Sequence, residues 1–189
     1  MHTLELLAEE HRIHRRLLDG LEQLLRRRDR AAPVPSTLLR RLCRFLETAV
    51  DGLHQEKEER ALFPQLVGRL GRLEFPELLR LEAQHRRDRR LLARLRLASF
   101  DESLEEDPWT TARTYVAFQR RHLAEEERQL FPLAARVLSP ADDRIVRAGF
   151  RRIERERGIS FLPGAHELLA ELTLAQVDAG APSRLRVVS

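Results

Sequence analysis

The chain has 189 residues, the size of one domain with room for an appendage, and 42% hydrophobic residues, enough for a core. Its mean hydropathy is −0.44 and no run approaches the ~18 uncharged apolar residues of a membrane span, so no spanning segment is expected. Lys+Arg 34 against Asp+Glu 30 leave a net charge of +4, too small an excess to make nucleic acid the expected partner despite a sequence pI near 10.3.

The single cysteine, Cys43, cannot form an internal disulfide or a thiolate cage and is expected in the core. The first residues, Met1 to Glu5, lack a signal-peptide layout, and together these features point to a cytoplasmic setting. Lys57 is the only lysine, so the basic residues are otherwise arginine. The runs Arg26 to Arg28 and Arg86 to Arg90 are predicted to be solvated helix faces with Glu partners. Seven histidines stand in a chain with one Tyr, one Trp and one Met, and their positions carry the functional argument.

Leu4, Leu7, His11, His14, Leu18, Leu21 and Leu25 recur in steps of three and four, the stripe of an amphipathic helix. Pro33-Val34-Pro35 breaks it, and Ser36 is the predicted N-cap of a second helix over Thr37 to Phe63, ending before Pro64. A short segment with Gly68 and Gly71 leads to a third helix, Pro76 to Ala98, with the stripe Leu78, Leu81, His85, Asp88, Leu92 and Leu95. An acidic loop, Ser99 to Asp107, precedes a fourth helix over Trp109 to Phe131, ahead of Pro132. The expected fold is all-α, an antiparallel four-helix bundle over residues 1–138. A C-terminal helical extension follows over 139–175, with runs Ala141 to Arg157 and from Pro163-Gly164 to Ala175, then a loose tail, 176–189.

An internal repeat organises the bundle. His11-Arg-Ile-His-Arg-Arg-Leu-Leu aligns with His85-Arg-Arg-Asp-Arg-Arg-Leu-Leu, and His54-Gln-Glu-Lys-Glu-Glu-Arg-Ala-Leu-Phe-Pro aligns with His122-Leu-Ala-Glu-Glu-Glu-Arg-Gln-Leu-Phe-Pro. The bundle is therefore predicted to be a duplicated helical hairpin about a pseudo-two-fold axis. Four residues are about 400° of helix, so His54 with Glu58, and His122 with Glu126, share a face. His11 and His85 lie in the apolar stripes of the other two helices. Four imidazoles and two carboxylates thus converge inside the bundle, where carboxylates need a cation; without a matching buried lysine, a metal is the simplest one.

Six mixed ligands are too many for one tetrahedral zinc and too nitrogen-rich for Ca²⁺ or Mg²⁺. Two ions, iron or else manganese, with Glu58 and Glu126 bridging, fit better and keep open positions for a small ligand. His11 and His54 are assigned to one ion, and His85 and His122 to the other. Beside them, His14 and its repeat partner Asp88 are candidates for a neighbouring, proton-handling layer. Tyr115, two turns before His122, is a candidate hydrogen-bond donor, and Phe118 with its partner Val50 should wall the pocket. His2 and His166 fall outside the repeat and are expected at the surface.

The duplicated His-x-x-x-Glu-Glu-x-x-Leu-Phe-Pro, with a histidine on each preceding helix, resembles the hemerythrin-like (HHE cation-binding) domains over roughly residues 3–138. The resemblance implies a four-helix bundle with a non-haem di-iron centre that meets O2, peroxide or nitric oxide. Arg89 stands where the oxygen carriers have a second histidine. Glu126 replaces an aspartate one residue later, where Glu127 stands here as a further candidate beside the ligands. The four-His, two-Glu set is more similar to di-iron proteins that repair iron centres, which counts against reversible O2 carriage. The functions implied are binding or reaction with O2, peroxide or nitric oxide in sensing or stress response. If the protein is an enzyme, it is an oxidoreductase acting on peroxide or nitric oxide. The alternative is iron handling or iron-centre repair. The segment after Pro140 is the one expected to reach any protein partner.

Overall fold

The computed structural model describes residues 1–71, 75, 77–100, 107–159 and 161–177, among which every regular element is helical. Helix α1 (His2–Asp29) buries Leu7, His11, His14, Leu18, Leu21 and Leu25 along one stripe. Glu5 in its first turn and Arg26 to Arg28 in its last complement the helix dipole. Helix α2 (Ser36–Phe45) starts one residue earlier than predicted. Its N-cap is Pro35, whose carbonyl accepts from the Leu38 N–H at 3.1 Å, so Ser36 lies inside the helix and caps nothing.

The rod that α2 begins is not one α-helix up to Pro64. It widens into two π-helical stretches, π1 (Leu46–Gln55) and π2 (Glu58–Leu62), and then continues through the proline as α3 (Phe63–Leu70). The fourth predicted helix behaves alike: α5 (Pro108–Glu125), then π3 (Glu126–Leu130), then α6 (Phe131–Val137). For π2 and π3 the cause is Pro64 and Pro132. Each lacks an N–H, and its ring would strike the carbonyl four residues back, so the turn before it opens. Phe63 N–H donates to Glu58 O and Phe131 N–H to Glu126 O, five residues back in both cases. The prolines then occupy the first turn of α3 and α6, where a missing N–H costs nothing. They widen and restart the rods; they do not end them.

Helix α4 (Glu77–Phe100) runs beyond the predicted Ala98, and its predicted start at Pro76 lies outside the described residues. Of the predicted acidic loop, Ser99 and Phe100 belong to α4, residues 101–106 lie outside the described residues, and Asp107 caps α5 by accepting from the Thr110 N–H at 3.2 Å. Helix α7 (Pro140–Arg157) opens with a reciprocal Ser139–Asp142 capping box and closes on Gly158 at φ 63°. Helix α8 (Phe161–Val177) ends the described chain; the rest of the predicted tail lies outside it.

The first four rods pack as an all-α bundle. α1 lies against α5, α5 against α4, and α4 against α2 and π1, which close the square on α1. Side-chain pairs fix the directions. Asp29 meets Arg113 while Arg15 meets Glu127, so α1 and the α5–π3 rod are antiparallel. Arg40 meets Ser99 while Glu59 meets His85, so the α2–π2 rod and α4 are antiparallel too. Helices α7 and α8 do not stand apart: they cover the seam between α1 and the α2–π1–π2 rod. Phe161, Ala165, Leu168 and Leu172 of α8 join the core of the bundle, while Val146 and Phe150 of α7 join a second apolar cluster with Leu7, Leu62 and Leu130. Among the described residues the two faces of the duplicated bundle are thus not equal, because α7 and α8 shield only one. Among the described residues no helix is long and apolar enough to cross a membrane.

Candidate metal centre

The six predicted donors meet between the two apolar clusters. His11, His54, Glu58, His85, His122 and Glu126 are all 3% exposed or less. Every imidazole turns Nε2 inward. His11 Nε2 lies 3.2 Å from His54 Nε2 and 3.3 Å from Glu126 Oε2. His85 Nε2 lies 3.3 Å from Glu58 Oε2 and 3.5 Å from Glu126 Oε1, and His122 Nε2 lies 3.2 Å from Glu126 Oε1. The donors fall into two groups able to hold a metal ion, one of His11, His54, Glu58 and Glu126 and one of His85, His122 and Glu126, each within 4.8 Å.

The local backbone makes this convergence possible. Glu58 opens π2 and Glu126 opens π3, so each carboxylate sits where the widened turn begins. The phenylalanine before each proline then covers an imidazole of the other half. Phe63 stacks on His85 at 5.8 Å between ring centres, and Phe131 lies at 5.0 Å from His11.

Each Nδ1 points outward to an oxygen. The Nδ1–H of His11 donates to Glu127 at 3.1 Å and that of His85 to Glu59 at 2.8 Å. His54 donates to Glu10 at 2.9 Å and His122 to the side-chain oxygen of Gln84 at 2.8 Å. These bonds select the tautomer whose Nε2 lone pair faces the centre, as a metal ligand requires. Arginines hold two of the partners. Arg15 makes paired hydrogen bonds to Glu127 at 2.6 and 2.7 Å, and Arg89 makes the repeat-related pair to Glu59 at 2.9 Å each while also reaching Asp51. Arg89, predicted as part of a solvated run, is thus the clamp behind the support of His85.

Charge within the cluster is demanding. Both oxygens of Glu58 and of Glu126 are fully buried without a well-formed hydrogen bond, as is His85 Nε2. Burial and the neighbouring Glu126 push the Glu58 carboxyl up, whereas Glu126 stays far below the usual range because His122, His11 and His85 outweigh its burial. Burial opposes the charge on His11, but Glu126 and Glu127 outweigh it and raise its pKa to about 9. Burial and the neighbouring His85 bring His122 down to about 4 against the pull of Glu126. A donor set of four imidazoles and two carboxylates with orphaned oxygens fits cations that take nitrogen and oxygen together, and such a cation displaces a proton from His11.

Lys57 corrects one expectation. The only lysine is buried at 2% exposure, donating to Glu10 at 2.5 Å and to Glu154 of α7 at 2.7 Å. With His54, it holds the Glu10 carboxyl below the usual range against burial, and it does not reach Glu58 or Glu126, which still need their own cation.

The remaining candidates lie one turn away. Asp88 is fully buried and accepts from Gln55 at 2.6 Å and from Gln119, whose amide also donates to the Tyr115 hydroxyl at 3.4 Å. Burial raises Asp88 to about 7, the two amides opposing. His14 is buried and held neutral by burial and by the charges of His54 and His11, and its Nε2 has no partner. Asp88 takes its hydrogen bonds from the two glutamines. Phe118 stacks on His122 at 6.2 Å; at the repeat-related place Val50 is too small to do so, and Phe161 of α8 approaches His54 at 6.3 Å. His2 and His166 are exposed and Cys43 is in the core. A surface cavity of about 370 Å³ is lined by Glu59, Phe63, Glu82, Arg86 and Arg89, and so reaches two of the side chains that contact His85.

Sequence reasoning missed Glu10, Glu59, Gln84 and Lys57. The first three were accessible in principle, since Glu10 precedes His11 as Gln84 precedes His85, and Glu59 matches Glu127. The burial of Lys57 depends on α7, which no repeat announces. Compared with known proteins, the chain matches one family model, the hemerythrin HHE cation binding domain, over residues 2–134. No curated protein and no solved structure matches it.

Proposed function

Because the chain belongs to the hemerythrin HHE cation-binding domain family, we propose that it holds two iron ions and uses them to bind or react with O2, peroxide or nitric oxide. His11 and His54 serve one ion and His85 and His122 the other, with Glu58 and Glu126 shared. The observation that carries this is the orientation of the imidazoles. All four present Nε2 to two buried carboxylates that lack hydrogen bonds, while each Nδ1 is tied to an outer oxygen. Bound iron supplies a redox-active Lewis acid with positions left for a small ligand.

The protein residues orient the donors and exclude water. Phe63, Phe131 and Phe118 pack on the imidazoles, and Asp88, with a pKa of about 7, keeps an exchangeable proton one turn away near neutral pH. A proton source of this kind favours reaction with the ligand over passive carriage.

The test is anaerobic reconstitution with Fe²⁺, metal counting, then exposure to O2, peroxide and nitric oxide. Two irons per chain are expected, falling on Glu58→Ala or Glu126→Ala, with catalytic loss of peroxide or nitric oxide. A stable, reversible oxygen spectrum without turnover would assign a carrier or sensor. Transfer of iron to an acceptor chelator during the assay would favour iron handling or iron-centre repair. Fewer than two irons per chain, or retention of both in the alanine variants, would sink the di-iron reading.

A further inference from the structure

The pseudo-two-fold symmetry of the donors breaks in the groups behind them. At the His11 and His54 position both outward nitrogens donate to carboxylates, Glu127 and Glu10. At the His85 and His122 position one partner is the carboxylate of Glu59 and the other is the neutral amide of Gln84. The Gln84 orientation is fixed, because its amide nitrogen donates to Glu125 at 2.6 Å, leaving only the oxygen for His122. Lys57 and Glu125 are repeat-related residues of opposite charge. In one half the lysine donates to Glu10; in the other the glutamate accepts from the amide of Gln84.

Burial separates the halves further. Glu10 and Lys57 are 7% and 2% exposed beneath α7, whose Glu154 completes the chain Glu154–Lys57–Glu10–His54. Gln84 and Glu125 lie partly exposed, backed by Arg80, on the side that no described helix covers.

An imidazole whose Nδ1–H donates to a carboxylate is a more basic ligand than one donating to an amide, and such outer partners change metal affinity about 10- to 100-fold. We infer that the two metal positions are inequivalent and fill in order. The His11–His54 position binds first, made the tighter site by the Glu154–Lys57–Glu10 chain that α7 completes, and the His85–His122 position binds second and more weakly. The inference rests on the two-metal reading above. It also places the weaker position beside a surface cavity lined by Glu59 and Phe63, the residues that bond to and pack on His85.

The experiment is a titration of the metal-free full chain with Co²⁺, followed by calorimetry and visible absorption, with melting curves to verify folding. Two binding steps separated by about tenfold or more are expected. Glu10→Gln should weaken the first step about tenfold and leave the second. Gln84→Glu combined with Glu125→Gln, which exchanges carboxylate and amide at constant charge, should tighten the second step alone. Glu154→Ala, at a partly exposed position, should weaken the first step by a smaller factor, and it carries the test if Glu10→Gln does not fold. Two equal steps in the natural sequence, or Glu10→Gln and Glu154→Ala acting on the second step, would overturn the ordering while leaving two-metal binding intact. Fewer than two Co²⁺ per chain would instead overturn the two-metal reading itself.

Discussion

Asp88 shows how much a single side chain next to the donors controls. It is buried at 0% exposure, receives two amide N–H groups, and titrates near 7 where an ordinary aspartate titrates at 3.8. Burial is the largest cause, Gln55, Gln119 and His85 oppose it, and Asp51 adds to it. The folded state therefore holds a proton that the unfolded chain releases. The stability this brings is complete below about pH 4 and is lost as pH rises through about 7. Asp88→Asn keeps the shape without the charge. One glutamine can turn its free oxygen, Gln55 Oε1 or Gln119 Oε1, toward the new amide, since both are buried without partners. The variant should melt higher than the natural protein at pH 8 and match it near pH 4, as measured by thermal unfolding of the metal-free chain. Equal melting temperatures at pH 8 would show that Asp88 carries no desolvation cost. A second consequence separates structure from chemistry: Asp88→Asn should slow peroxide or nitric oxide loss in the iron-loaded protein while two irons remain bound.

At the scale of elements, the repeat made the four rods and the six converging donors legible, because a helical period and a duplicated motif are both written in residue identities. What surrounds the donors was less legible. The outer partners Glu10, Glu59 and Gln84 face nitrogens that point away from the centre, so the inward-facing pattern of the sequence does not mark them. The π turns were hidden for a different reason. Proline is a helix terminator in an isolated sequence, yet Pro64 and Pro132 open the preceding turn and let the rod continue. This gives the Phe-Pro pair a function that can be tested. Pro64→Ala restores an N–H able to bond the Arg60 carbonyl, which lets π2 close toward an α turn and rotates Glu58 away from His85. Metal affinity should fall about tenfold, an effect of the size seen when support of a ligand is lost. The melting temperature of the metal-free chain should hold or rise, because alanine is the better helix former. Unchanged affinity in a titration with Co²⁺ would mean that the widened turn does not depend on the proline.

At the scale of the whole molecule, α7 and α8 turn a symmetric duplication into an asymmetric protein. They cover the α1 and α2–π1–π2 seam, supply Phe161 to His54, and bring Glu154 to Lys57. Close approach is what allows it. A Cβ on Gly149 of α7 would lie 2.7 Å from the Cβ of Ala61 in π2, and Ala61 has no side chain able to swing aside. Gly149→Ala must therefore push α7 outward, loosening Val146 and Phe150 in their apolar cluster and drawing Glu154 away from Lys57. Overpacking of this kind costs about 1–3 kcal/mol, and each kcal/mol lowers the melting temperature by roughly 2–4 °C in a chain of this length. Ala61→Gly alone should cost about 1 kcal/mol through lost helix propensity. In the double variant the space returns, so the two costs should fall short of additive by at least about 0.5 kcal/mol, beyond the usual scatter for independent sites. Denaturant unfolding of the four chains measures this directly. Strict additivity would mean that Gly149 and Ala61 do not set the approach of α7. A sub-additive result should come with recovery of the tighter Co²⁺ step in the double variant, because the contact that seats α7 is the same one that delivers Glu154 to Lys57.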